Sequence, residues 1–369
     1  MKTPRDRLLA GLAALLLRVA AWLLPSRQAP WARAMRAEVL AIGDPGEALA
    51  YAWGCFTASL QAWGHGQAAA TARPDRLGLL CASAAVLGGS AFMATQAAPN
   101  GYAWINALSL TLAWASFALL PRHRLQHDPA WRAWTAFALG GLLLASALGA
   151  APTGWLPLGP VAVQPAWLLG PALWVVSSRL PSTTGSDPVQ HAAPRLTGLW
   201  MGQLALMLQA QAGLLLVTTL VLCLRACRGR SWAGAGGALL SLALAAAAVP
   251  RWTVPPPLPF VDEVLQQAFA QRPGCGLVLA TVWLSLLLPG LAHHRAREHG
   301  LAWLALLALS LPGWLPTPVL GFGGSFILGY VLSLAVLPGR ALGGPPRAPP
   351  AHSGTARRGA PPLARASLA

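Results

Sequence analysis

"TGLWMGQLALMLQAQAGLLLVTTLVLCLR", residues 197–225, is the stretch whose reading decides the fold. It is apolar throughout and longer than the roughly 20 residues that one helix needs to cross a bilayer. Arg179 and Arg195 precede it, and Arg225, Arg228 and Arg230 follow it. Basic residues gather in cytoplasmic loops, so both ends belong on one side and the chain must go out and come back. The break falls at "QAQAG", Gln209–Gly213, and makes two short helices of one long run.

The same reasoning extends along the chain. Of the 369 residues 55% are hydrophobic and 10% are charged, where a soluble protein carries about 25% charged residues. Apolar segments near 77–98, 103–120, 133–151, 165–178, 232–250, 275–292, 300–315 and 319–337 join the split pair to give ten transmembrane helices. The expected fold is all-α and polytopic, with both termini cytoplasmic. Inner loops then hold Arg73, Arg76, Arg122, Arg124, Arg132, Arg179, Arg195, Arg225, Arg228, Arg230, Arg295 and Arg297, against Arg251 and Arg272 outside. The net charge of +16 therefore reads as membrane topology, and no nucleic acid is expected as a partner.

The five cysteines form no CxxC pair and have no histidine at metal spacing, so no metal site is expected. No cleavable signal peptide is expected, because Arg18 interrupts the first apolar run and no A-x-A-like site follows it. Residues 1–76 carry mixed charge on an amphipathic pattern. "APWARAMRAEVLAIGDPGEALAYAWGCF" reads as two helices parted by the turn "GDPG", lying on the cytoplasmic surface. Residues 339–369 are rich in Pro, Gly and Arg and are expected to be a disordered cytoplasmic tail.

This topology sorts the titratable groups. All eight histidines fall on the cytoplasmic side, His299 among them, and Asp262 and Glu263 are the only acids outside. They sit in the outer loop 251–273, in "PPPLPFVDEVLQQAF". A short helix "DEVLQQAFAQ" is expected there, with Asp262 as its cap and Glu263 beside it. The functional alternative for a lone positioned carboxylate is general-base chemistry. Adjacent residues on a helix diverge, so the two are not an opposed carboxylate pair.

Three outer stretches, in order, resemble the SEDS family (shape, elongation, division and sporulation; the FtsW/RodA/SpoVE cell-wall glycan polymerases). "GWLPLGPVAVQPAW", residues 154–167, is similar to the family's R-W-I-x-L-G-x4-Q-P-S-E through Trp155, Leu158, Gly159, Gln164 and Pro165. The loop holding Asp262 resembles the segment around the family's catalytic aspartate. "PVLGFGGSF", residues 318–326, is similar to P-F-x-S-Y-G-G-S-S through Pro318, Gly323, Gly324 and Ser325. The family's Q-P-D-x-G lies where the charges break residues 197–225. The chain departs from the family at Gly154, Ala166, Trp167, Gln211, Gln271 and Arg272, where the family carries charged or hydroxyl residues. The resemblance spans residues 77–338.

The resemblance implies a peptidoglycan glycosyltransferase of the bacterial cytoplasmic membrane, acting in division or elongation on a lipid-linked disaccharide precursor at the outer face. Asp262 would be its catalytic base. Arg251, Arg272, Trp155, Gln164, Gly323, Gly324 and Ser325 would bind substrate, and a divalent cation at the pyrophosphate is open. Implied partners are membrane lipids, the lipid-linked glycan and a single-pass transpeptidase or other division or elongation protein. Each residue has a plainer role beside this one. Arg251 and Arg272 suit lipid headgroups, Trp155 the aromatic belt with Tyr102, and the glycines close helix packing. The alternatives are a non-catalytic relative that binds a lipid or protein partner to regulate envelope growth, and a small-molecule transporter. The transporter is disfavoured because the apolar segments hold no ionisable residue beyond cysteines and edge arginines. Single cysteines at Gln211 and Gly229 test the topology: Gln211→Cys should label with an impermeant maleimide added outside, and Gly229→Cys only after the membrane is opened.

Overall fold

The computed structural model describes residues 4–24, 29–64, 74–149, 154–158, 161–178, 189–229, 232–251, 258–293 and 296–338. The 339–369 tail, expected to be disordered, lies outside them. The chain is helical almost throughout. Helices α1 (Pro4–Leu23), α2 (Ala29–Ala41) and α3 (Pro45–Gly64) share a small apolar cluster around Ala13, Leu17, Met35, Ala48 and Ala52. The "GDPG" turn parts α2 from α3. The Asp44 carboxylate there accepts the Glu47 N–H at 2.8 Å, satisfying one of the open donors of α3.

The larger core is built from α4 (Pro74–Thr95), α5 (Asn100–Leu119), α6 (Arg122–His127), α7 (Pro129–Gly149), α8 (Pro165–Val176), α9 (Val189–Leu208), α10 (Ala212–Gly229), α11 (Trp232–Ala248), α12 (Val264–Gln271), α13 (Pro273–Leu284), α14 (Leu288–Ala292), α15 (Arg297–Ser310) and α16 (Gly324–Ala335). Several open on a proline, which has no N–H to leave unsatisfied at a helix start. Among the described residues four segments are long and apolar enough to cross a membrane: Pro74–Thr95, Asn100–Leu119, Pro129–Gly149 and the α13–α14 run Pro273–Leu291. Helices α8, α11 and α16 are apolar but shorter.

Residues 197–225 do break. Helix α9 stops at Leu208, Ala210 takes a left-handed φ of 53°, and Gln211 N–H closes the turn on the Leu206 carbonyl at 2.8 Å. Helix α9 packs chiefly on α7, and α10 on α11 and α15. One element departs from the all-α expectation. Strands β1 (Leu156–Leu158) and β2 (Val161–Val163) form an antiparallel ribbon, pairing Leu156 with Val163.

Close packing uses small residues, as expected where apolar side chains gain little by leaving lipid. Helices α7 and α9 touch backbone to backbone: a Cβ on Gly140 would lie 1.9 Å from the Gly198 carbonyl oxygen. The least expected packing element is Arg132, an arginine that charge counting places in a loop. It is 2% exposed in the first turn of α7. Its guanidinium donates to the carbonyls of Leu125 (2.9 Å), Val336 (2.7 Å) and Val175 (2.5 Å) and to Ser178 Oγ (3.1 Å). It thus gathers the carboxyl ends of α8 and α16, where helix dipoles are negative. Arg225 completes the end of α8, donating to the Trp174 carbonyl and to Ser177 Oγ while paired with Glu298 at 2.9 Å.

His299, placed on the cytoplasmic side by the charge count, is 1% exposed in the first turn of α15, beside Trp303 and Tyr330, with Nδ1 3.2 Å from Ser333 Oγ. Residues 300–315 contain no histidine, but the helix starts early enough to carry His299 in with it. Gly140→Val should lower the thermal midpoint of the detergent-solubilised protein, since overpacking a close contact costs about 1–3 kcal/mol or more. Gly141→Ala should leave the midpoint unchanged, because a Cβ there meets only the Met201 methyl at 3.4 Å.

Candidate functional site

Asp262 closes a turn rather than capping a helix. Helix α12 begins at Val264 with Glu263 in the capping position, and no side chain caps it. The Asp262 carboxylate turns back and accepts the Leu258 N–H at 2.7 Å, while Asp262 N–H donates to the Leu258 carbonyl at 3.1 Å. Phe260 bends the chain inside this turn with a φ of 64°. Asp262 is 7% exposed. Burial pushes its carboxyl above the usual aspartate range and the neighbouring Glu263 adds to that, against the opposing pull of the Leu258 N–H.

The turn is joined to the 315–323 segment. Thr317 N–H donates to the Val261 carbonyl at 3.0 Å and its hydroxyl to the Asp262 carbonyl at 2.6 Å; Phe322 N–H donates to the Phe260 carbonyl at 2.8 Å. The 315–323 segment is gripped from the other side too. Trp283 Nε1 donates to the Pro318 carbonyl at 3.0 Å, and the Leu320 carbonyl lies on Gly89, where a Cβ would come within 1.9 Å. Asn106 donates to the Gly321 carbonyl at 3.3 Å and accepts the Gly323 N–H at 3.4 Å. Asn106 is six residues into α5 and Trp283 ten into α13, so irregular backbone runs about 9–15 Å below the helix starts. At such depth non-helical backbone is tolerated only when it is enclosed in protein or lines a cavity.

Two short helices start from this level. Gln164 precedes α8 and Gly323 precedes α16, and Gln164 N–H donates to Ser325 Oγ at 3.0 Å. The helices run side by side in the same direction, with Gly329 packed on the Trp167 carbonyl and both far ends on Arg132. Their positive dipole ends therefore open together beside the Asp262 turn.

The structure thus joins Asp262, Gln164, Gly323, Gly324 and Ser325 into one continuous hydrogen-bonded region. It does not bring in Trp155 or Arg272. Trp155 is exposed at the start of the ribbon, next to Gly154, over which the Gln209 side chain packs. Arg272 is exposed between α12 and α13 and makes no ion pair among the described residues. Arg251 ends a short 3-10 turn, and its side chain lies outside what is described, as does Gly159. No group of three potential metal ligands exists among the described residues, and the Asp262 carboxylate is turned toward Leu258.

Sequence reasoning missed Asn106, Thr317 and Trp283. Asn106 carried a readable signal: a lone amide inside the apolar run 103–120 needs a partner. Tyr102, expected as an interfacial anchor, stacks on Phe322 with ring centroids 4.0 Å apart. No family model, no curated protein and no solved structure matches the chain.

A carboxyl whose native pKa lies above its unfolded value stabilises fully below the unfolded value, and that stability is lost as pH rises through the native one. The unfolding midpoint of the solubilised protein should therefore fall as pH rises above about 3.9, the ordinary aspartate value. Asp262→Asn, which still accepts the Leu258 N–H, should flatten that slope. A slope unchanged by the substitution would show that Asp262 is not its source.

Proposed function

We propose that the chain is a SEDS-like glycan polymerase of the bacterial cytoplasmic membrane. It crosses the membrane ten times, with both termini in the cytoplasm and the Asp262 turn at the outer face. The observation that carries this reading is convergence. The stretches that resemble the family around Gln164, Asp262 and Gly323–Ser325 are distant in sequence, yet they are hydrogen-bonded into one region.

The chemistry follows from the groups present. An acceptor sugar hydroxyl loses its proton to the Asp262 carboxylate as its oxygen bonds to the anomeric carbon of the lipid-linked donor. The bond from that carbon to the lipid pyrophosphate breaks, and the pyrophosphate leaves with the electron pair. A carboxyl raised by burial is a better base near neutral pH than an exposed one. The paired amino ends of α8 and α16 favour the leaving anion. Exposed Arg272 could swing onto it from the rim, where a guanidinium fork suits a phosphate.

One observation favours the second reading, a non-catalytic relative that holds a lipid or protein partner. The Asp262 carboxylate already serves its own turn through Leu258, a structural use that needs no catalysis. Asp262→Asn separates the two, because asparagine keeps the hydrogen bond and removes the base. In a polymerisation assay with purified protein and lipid-linked disaccharide, the asparagine variant should lose a factor of about 10² to 10⁴ in rate at normal abundance. Glu263→Gln should remain near wild type. Full activity in the asparagine variant overturns the polymerase reading and leaves the non-catalytic one.

A further inference from the structure

The helices α2 and α3 enclose a cleft that the proposed polymerase does not use. Trp31, Ala34, Met35 and Glu38 line it from α2, and Tyr51, Gly54, Cys55 and Ala58 from α3. Both sets fall at i, i+3, i+4 and i+7, so each is one face of its helix. Two such faces, apolar but for Glu38 and Tyr51, would ordinarily close on each other. Here small residues hold the space open: a Cβ on Gly54 would meet nothing within 4 Å. The volume is about 370 Å³, within the roughly 300–1,000 Å³ of small-molecule sites.

The chemistry of the walls selects the occupant. The Tyr51 hydroxyl donates to the Glu38 carboxylate. That hydrogen bond, with burial, pushes the phenol well up, so it remains a donor to the Glu38 side chain. Glu38 makes no salt bridge among the described residues. Arg33 and Arg36, on the same helix, lie off the lined face. The residues 29–64 carry Glu38, Asp44 and Glu47 against those two arginines, an acidic balance inside a chain of net charge +16. Trp31, one of the lining residues, is 59% exposed, and an indole is a ring a cation can associate with. Glu38 is itself exposed, so an anion would meet a like charge there, whereas a cation gains both the carboxylate and the neighbouring aromatic ring.

We propose that this cleft binds a small organic cation, an ammonium group carried on an apolar body, with Glu38 as counter-ion and Trp31, Met35 and the Tyr51 ring as its apolar and aromatic walls. The site is independent of the polymerase reading and stands or falls without it.

Cys55 supplies the readout, since it lines the cleft, while Cys223 and Cys227 are exposed elsewhere and serve as internal references. Full-length protein in nanodiscs is alkylated with N-ethylmaleimide, and each cysteine is followed by mass spectrometry. The probe is phenethylammonium, and its neutral counterpart is phenethyl alcohol. Saturating phenethylammonium should slow Cys55 alkylation at least about fivefold and leave Cys223 and Cys227 unchanged, and the alcohol should need about tenfold higher concentration for the same effect. Glu38→Gln should erase the difference between the two probes. Gly54→Leu, which fills the cleft from within, should slow Cys55 without any ligand and abolish the response to both. Equal protection by amine and alcohol in the wild type, or none by either, overturns the proposal. So does a preference for the amine that survives in both variants while the reference cysteines react at wild-type rates.

Discussion

The guanidinium of Arg132 is the constraint on which the arrangement of helices turns. It is a full charge in an apolar core with no carboxylate among its partners, so its stability rests on carbonyl oxygens and one hydroxyl. Those acceptors belong to the carboxyl ends of α6, α8 and the segment after α16. Moving any of these ends would leave a buried charge unsatisfied, which costs far more than an ordinary lost contact. The short helices α8 and α16 are therefore fixed in depth as well as direction. Because they are fixed at one end, their amino ends must stop at the same level inside the protein, and that level is where the 315–323 segment runs.

A segment at that depth has to satisfy every N–H and C=O from protein. Asn106, Trp283 and the Phe260–Asp262 turn together satisfy the carbonyls of Pro318 and Gly321 and the amides of Thr317, Phe322 and Gly323, and the glycines at 89 and 321 let backbones approach closely enough. The result couples the Asp262 turn to α4, α5, α13 and α16 at once. A carboxylate that is partly desolvated and rigidly supported is suited to act on a proton, and the same rigidity would suit a surface that holds a partner. What separates these uses is whether the Asp262 oxygen can release the Leu258 N–H for a substrate.

The helical character and the break near Gln209 were legible because both rest on quantities that sequence displays directly: apolar length and the sign of flanking charge. The ends of the elements were less so. Asp262 reads as a helix cap from its neighbours, yet the left-handed Phe260 lets its carboxylate reach back to Leu258, and no local pattern announces a positive φ at phenylalanine. Arg132 counts as one loop arginine among many, since a charge tally cannot distinguish an arginine in water from one buried under helix ends. The β1–β2 ribbon is too short for alternation to stand out among prolines and glycines. Of the site, the resemblance singled out Gln164, Asp262 and Gly323–Ser325 as candidates, whereas the residues that link their segments, Asn106, Thr317 and Trp283, were not read.

The grip on residues 317–323 is exerted mainly on main-chain atoms. Trp283 and Asn106 hold the carbonyls of Pro318 and Gly321, Asn106 also takes the Gly323 N–H, and carbonyls of the Phe260–Asp262 turn accept the N–H groups of Thr317 and Phe322. Apart from the Thr317 hydroxyl on the Asp262 carbonyl, the Phe322 ring on Tyr102 and the positions where no Cβ fits, side chains along the segment are thus released from the duty of holding its shape. Such a loop can change its letters during descent and keep its path. The memory of its form resides in the clamps on neighbouring helices, so substitutions at Asn106 or Trp283 would disturb its path more than most substitutions within the loop itself.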